Sequence, residues 1–191
     1  DSVLITLIYP FTAVVSPEAD VCEGSQIQLN ASGGVLYSWS PALGLDNANI
    51  PNPTAYGLQT TNYQVIVSDG LCFQDTAYVL VTVHPLPAVY AGPDQIILAG
   101  DQVDLIATGT GTTYLWNPID GVACPDCKMT TAAPIITTTY TVIATNDFGC
   151  SISDDVVIKV GCTDDVVYIP NAFSPNADGN NDVLYVRSKG L

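Results

Sequence analysis

The sequence predicts an all-β fold made of tandem sandwich modules. Three observations carry that expectation. Apolar residues fall at every second position in short runs, turn signals break the runs at regular intervals, and long stretches recur at one fixed distance.

The recurrence sets the domain plan. Tyr37-Ser38-Trp39-Ser40-Pro41 returns as Tyr114-Leu115-Trp116-Asn117-Pro118, so the two tryptophans stand 77 residues apart. Thr60-Thr61-Asn62-Tyr63-Gln64-Val65 returns as Thr137-Thr138-Thr139-Tyr140-Thr141-Val142 at the same distance. Gly24-Ser25-Gln26-Ile27-Gln28-Leu29 matches Gly100-Asp101-Gln102-Val103-Asp104-Leu105 at a shift of 76. Matches in one order at nearly one shift imply two homologous modules, residues 9–84 and 85–161, with Pro85 and Pro87 at the link. Residues 1–8 read like the end of the second module, Asp154-Asp155-Val156-Val157-Ile158-Lys159-Val160. They are expected to be the last strand of a preceding module. A lone strand cannot bury its apolar face, so the natural protein is expected to extend upstream.

Within the first module the strands follow in order. Ile27, Leu29 and Ala31 share one face of a run, and Val35, Tyr37 and Trp39 share a face of the next. Tyr63, Val65 and Val67 alternate likewise, and Val79, Val81 and Val83 close the module. Period two with one buried face is the pattern of a sandwich strand. Glu23-Gly24, Ser32-Gly33-Gly34, Asp69-Gly70 and Phe148-Gly149 mark turns, and Asp69-Gly70 between two alternating runs signals a hairpin. About seven strands per module are expected. A tryptophan on the third and a Tyr-x-Val on the sixth match an immunoglobulin-like order. Val65 and Val142 stand where antibody domains place a core cysteine, so the usual inter-sheet disulfide is not expected.

Composition narrows function. Lys and Arg total 4 against 19 Asp and Glu, for a formal net charge of −15. Such a surface repels nucleic acid and anionic membranes, which need cations to neutralise phosphate. Charged residues are only 12% and hydrophobic residues 48%, too apolar for a disordered acidic tail. No apolar run approaches the roughly 18 residues of a membrane helix. Six cysteines point to an oxidising compartment. Catalysis finds no support: the single histidine, His84, lies beside a linker proline, and no phosphate loop or dinucleotide fingerprint occurs. The chain is expected not to be an enzyme.

Ala91-Gly92-Pro93-Asp94, the Tyr-x-Trp-x-Pro strand, the Thr-Thr-x-Tyr-x-Val strand and the Gly149-Cys150 turn resemble the PKD-like and Ig-like modules of large surface and secreted proteins of the Bacteroidota. The resemblance covers roughly residues 9–161. It implies architecture; such modules serve as spacers, adhesin stalks and enzyme accessories alike. Residues 162–191 depart from the repeat. The string Pro170-Asn171-Ala172-Phe173-Ser174-Pro175-Asn176-Ala177-Asp178-Gly179-Asn180-Asn181-Asp182 resembles the opening of the gliding motility-associated C-terminal domain, the type B sorting signal of the type IX secretion system. That resemblance implies export across the outer membrane by docking to the secretion machinery. Pro170, Asn171, Phe173, Pro175, Asn176, Asp178, Gly179, Asn181 and Asp182 carry the motif. Family members continue with further strands and an Arg-Trp-Gly motif, so only the start of the domain is expected here.

The related modules often carry both Cys22 and Cys72, which implies that these two pair. Cys124-Pro125-Asp126-Cys127 is a lone CxxC, read as a short structural disulfide because zinc normally takes two such pairs. Leu98 replaces the first cysteine in the second module, leaving Cys150 and Cys162 to pair by elimination. They flank a strand about 30 Å long, so a direct bond needs a chain reversal, and Cys162 bonding elsewhere is the alternative. Ser174, Asn176, Asp178 and Asp182, with Gly179, echo the front half of a calcium loop, although Tyr185 holds the place of its bidentate acid. Asx residues also build such a turn without metal, and the bare turn is the preferred reading. Asp69 and Asp94 read as turn acids. Asp1-Ser2-Val3 and Asp75-Thr76-Ala77 match the Asp-Ser/Thr-apolar pattern of O-glycosylation in this phylum, at Ser2 and Thr76.

The functional expectation is a structural and adhesive cell-surface or secreted protein of a Gram-negative bacterium, a gliding adhesin being one form. Its modules would act as stalk and its last segment as sorting signal. Expected partners are the type IX machinery, neighbouring modules of the same chain, and surface glycans or other cells. The alternatives are the accessory C-terminal region of a secreted hydrolase, and a carbohydrate-binding module, which would need an exposed aromatic platform.

Overall fold

Alternating β-branched and aromatic residues fit a pleated surface with one face buried, and strands form wherever the sequence alternates. The computed structural model describes residues 10–161, and no helix occurs among them. These residues fall into two units. One holds residues 10–88 with 145–152, and the other holds 89–144 with 153–161.

The first unit contains β1 (Val14–Val15), β2 (Ala19–Cys22), β3 (Gln26–Gln28), β4 (Ala31–Ser32), β5 (Leu36–Ser40), β6 (Thr54–Tyr56), β7 (Thr61–Ser68) and β8 (Gln74–His84). One sheet has the order β2-β8-β7-β5. β7 runs antiparallel to β5 and β8, while β2 runs parallel to β8, with Cys22 opposite His84. The other layer is the pairs β3–β6 and β1–β4. Leu29, Ala31 and Ala55 from that layer meet Trp39, Tyr63, Val65, Val67, Val79 and Val81 from the sheet in one buried cluster. Tyr63, Val65 and Val67 are almost fully buried, as the period-two pattern requires.

The second unit repeats the plan. Its strands are β9 (Val89–Tyr90), β10 (Gln95–Leu98), β11 (Val103–Ile106), β12 (Thr108–Gly109), β13 (Thr113–Asn117), β14 (Met129–Ala132), β15 (Thr138–Thr145) and β16 (Ser151–Gly161), of which Thr145, Ser151 and Ile152 belong to the first unit. The sheet order is β10-β16-β15-β13, facing the pairs β11–β14 and β9–β12. β10 pairs in parallel with β16, as β2 does with β8. Trp116, Tyr140, Val142, Val156 and Ile158 lie at the centre of its core. A final strand between an antiparallel neighbour and a parallel first-strand segment, with a core tryptophan on β5 in one unit and on β13 in the other, is an immunoglobulin-like sandwich. The chain is all-β, and the fold class is the one the sequence predicts.

One polar framework is repeated in both units. Trp39 Nε1 donates to the Ile50 carbonyl at 2.9 Å, and Trp116 Nε1 to the Cys127 carbonyl at 3.0 Å. Asp75 Oδ2 accepts the Ala13 N–H and Asp154 Oδ2 the Ala91 N–H, both at 2.8 Å. Thr60 and Thr137 accept from Val83 and Val160. Gly34 and Gly111 hold equivalent tight places. A Cβ on Gly34 would stand 2.5 Å from the Ser68 carbonyl oxygen, and one on Gly111 2.8 Å from the Ala144 Cβ.

One expectation needs correction. Val35 does not share the buried face of Trp39; it precedes β5 and is 69% exposed. It sits at the end of the sheet beside Gly70, where no second layer covers it. Tyr63, the tyrosine of the Tyr-x-Val run, donates its hydroxyl to the Leu43 carbonyl, 20 residues upstream, at 3.2 Å.

Truncating Trp116, which is fully buried, removes the largest side chain of its core. Trp116→Ala is expected to cost about 3–5 kcal/mol and to unfold the second unit. A thermal melt unchanged by the substitution would remove Trp116 from the core.

Candidate functional site

The residues with distinctive chemistry gather where β8 ends. β2 aligns in parallel with the last four residues of β8, Val81 to His84, so Cys22 and His84 become neighbours. The β15–β16 turn, residues 145–152, belongs to the same unit. Cys22 bonds to Cys150, with 5.6 Å between their Cα atoms and 128 residues of sequence separation. The Phe148 ring stacks on His84 with centroids 3.9 Å apart. Asn146 Nδ2 donates to the Pro85 carbonyl at 2.9 Å, and His84 Nε2 lies 2.8 Å from Asp20 Oδ1. Cys150 is 1% exposed, so the turn is held by a buried covalent bond as well as by ring stacking.

This bond overturns two expected pairings. Cys22 does not bond Cys72, which is free and exposed. Cys72 follows β7 and precedes β8, while Cys22 lies at the opposite end of β8, an 11-residue strand. At roughly 3.3 Å per residue the two are about 35 Å apart along the strand, far beyond disulfide reach. Cys150 does not bond Cys162, because its sulfur is already bonded to Cys22. Cys162 itself lies outside the described residues.

The two hairpin turns explain why only one carries a useful cysteine. Asp69 Oδ1 accepts the N–H groups of Leu71, Cys72 and Phe73 at 2.8 to 3.0 Å. Asn146 Oδ1 accepts those of Phe148 and Cys150. Asp69 N–H reaches the Phe73 carbonyl and Asn146 N–H the Cys150 carbonyl. Cys150 therefore occupies the place of Phe73, and Cys72 occupies that of Gly149.

Cys124 and Cys127 form the second disulfide, in the loop whose carbonyl receives the Trp116 indole. Asp126 joins them in a tight group, but the sulfurs are bonded to each other and cannot serve as thiolate ligands. In the first unit the same loop is closed by Asn47, whose Oδ1 accepts the Asn49 N–H. Asp94 Oδ1 accepts the Val157 N–H, which makes it a structural acid. Thr76 is exposed on β8, next to Asp75. Ser2, and the segment with Pro170, Asn171, Phe173, Ser174, Pro175, Asn176, Asp178, Gly179, Asn181 and Asp182, lie outside the described residues.

No protein-family model and no curated protein matches the chain. Among solved structures it is similar to the insect immune protein hemolin, at 13% identity and a TM-score of 0.43, over 78% of this chain and 46% of that one. It is similar to the Ig1-2 module of the Drosophila receptor protein tyrosine phosphatase DLAR, at 11% identity and a TM-score of 0.34, over 81% and 100%. A third is the N-terminal eight Ig domains of Down Syndrome Cell Adhesion Molecule, at 16% identity and a TM-score of 0.34, over 78% and 28%. The chain thus spans under half of hemolin. The immunoglobulin-like assignment rests on the strand order described above.

Non-reducing peptide mapping is expected to recover a peptide pair joined through Cys22 and Cys150, with Cys72 alkylated without prior reduction. A Cys22–Cys72 pair would overturn the assignment. On the chain-entropy estimate, a loop this long stabilises by about 5 kcal/mol, so Cys150→Ser should lower the unfolding midpoint clearly.

Acid should weaken the first unit. Backbone N–H groups, led by those of Leu71, Thr54 and Ala13 respectively, hold Asp69, Asp46 and Asp75 below the ordinary aspartate value of 3.8. These acids favour the charged form in the folded chain. Their contribution is present above the unfolded value and is lost as pH falls through the lower folded values. Asp69→Asn keeps the acceptor, as Asn146 shows, and should hold the neutral-pH midpoint while reducing the loss in acid. Asp69→Ala should lower the midpoint at neutral pH; an unchanged melt would contradict the turn's role.

Proposed function

We propose that this chain is the stalk of an extracellular adhesive repeat protein, exported by type IX secretion to the outer surface of a Gram-negative bacterium, with a gliding adhesin as one form. The observation that carries the reading is the duplication. One sandwich occurs twice with the same polar framework, and its variable positions are spent on cross-links rather than on a pocket chemistry. Disulfides persist in oxidising compartments, which supports an extracellular location. The acidic composition supports partners other than nucleic acid. Both tryptophans are core residues with their indole N–H groups bonded internally, so neither offers a sugar-stacking face. That weighs for a stalk over a carbohydrate-binding module. The His84 ring is engaged by Asp20 and Phe148, a structural use that supports a non-catalytic role. The secretion route is supported by the Pro170 to Asp182 string alone.

Antibody against residues 10–161 should label intact producing cells. Labelling should disappear, with the protein retained in the periplasm, when the type IX outer-membrane translocon is disabled. Surface labelling that survives that disablement overturns the route, and loss of the gene without loss of attachment overturns the adhesive role. Calcium is tested on the full chain. If Ser174, Asn176, Asp178 and Asp182 take the ion, calorimetric titration gives heat and the melting point rises; a bare turn gives neither.

A further inference from the structure

We infer that the Cys22–Cys150 bond makes the chain a redox-gated length limiter, through which tension applied at the two ends bypasses everything from β3 to β15. The inference deepens the stalk reading, because a stalk is pulled from its ends, but it stands on covalent connectivity alone. Tension entering from the N-terminal side reaches Cys22 at the end of β2. Tension entering from the C-terminal side reaches Cys150 one residue before β16. Between these points the shortest covalent path is the disulfide, whose Cα atoms are 5.6 Å apart. The alternative path is 128 residues long and stays slack as long as the bond holds. β3 to β8 and β9 to β15 all lie on that slack path.

Among the described residues three strands then meet the load directly, β1, β2 and β16. β1 is held to β4 by two residue pairs, Val14↔Ser32 and Val15↔Ala31. β2 is held to β8 by four residue pairs, Ala19↔Val81 to Cys22↔His84. β16 is held in its sheet between β10 and β15. Pulling can peel these strands, and even loss of β16 from its sandwich cannot lengthen the chain across the loop. A broken non-covalent contact therefore yields little extension, and the hidden length is released only when an external dithiol or phosphine reduces the bond to two thiols and is itself oxidised, to a disulfide or a phosphine oxide. Reductant must reach the bond from the half-buried Cys22, since Cys150 is closed from solvent. The Cys124–Cys127 bond, which spans three residues, adds almost nothing to this length.

Single-molecule stretching of the full 191-residue chain, tethered at its ends, measures the limiter directly. At about 3.5 Å per residue the loop hides roughly 450 Å. The oxidised chain should extend about 450 Å less than the chain reduced with a water-soluble phosphine. Cys22→Ser and Cys150→Ser should each give the long extension without reductant, and Cys72→Ser should keep the short one. A reduction-dependent gain of about 175 Å would mean a Cys22–Cys72 bond, about 40 Å a Cys150–Cys162 bond, and no gain would mean no bypass; each overturns the inference. Failure of attachment assays with the 450 Å gain intact would overturn the adhesive reading and leave the limiter standing.

Discussion

Each sandwich depends on burying a tryptophan without orphaning its indole N–H. Trp39 on β5 and Trp116 on β13 supply much of the apolar area that the two layers share, and an unpaired buried donor would offset part of that gain. In both units the answer is a loop carbonyl 11 residues further on. The loop must then be fixed in place. Asn47 fixes it with an Asx turn in the first unit, and the Cys124–Cys127 bond fixes it in the second. A short disulfide and a side-chain hydrogen bond are interchangeable here because each has only to hold one carbonyl at one distance.

The same logic separates what is constant between the repeats from what is free to change. The acids that bond Ala13 and Ala91 and the threonines that bond Val83 and Val160 recur, since each satisfies a group the fold cannot leave bare, and Val65 and Val79 recur in the core as Val142 and Val156. The first-strand end and the hairpin turn impose less. They accept Cys22 or Leu98, and Phe73 or Cys150. Those tolerant places are where the long-range cross-link was inserted. Asp69 and Asn146 show the margin of tolerance: both present an oxygen to the turn's N–H groups, and only one brings a charge.

Cross-linking at such places gives the chain a property that its hydrogen-bonded strands lack. A hydrogen-bonded strand resists tension in proportion to contacts that salt, heat or acid can weaken. A covalent shortcut resists it independently of those contacts. The acid sensitivity expected of Asp46, Asp69 and Asp75 and the length limit inferred from Cys22–Cys150 are therefore separate features of one chain.

Much of the fold was legible in the sequence. The 77-residue shift predicted a repeated plan, and β9 to β16 follow the order of β1 to β8; the period-two runs placed β5, β7 and β8, and the Trp and Tyr-x-Val order gave the sandwich class. These are local patterns, and a strand with one buried face must write its pattern locally. The site was not legible in the same way. Family habit and elimination paired Cys22 with Cys72 and Cys150 with Cys162. The strand-length argument that troubled the second pair applies equally to the first, because β8 separates Cys72 from Cys22. What the sequence determined by itself was which residues of the strands face inward, Val35 before β5 being the exception. Which cysteines meet was decided by tertiary structure alone, since a disulfide requires two Cα atoms within about 7 Å, whatever their distance along the chain.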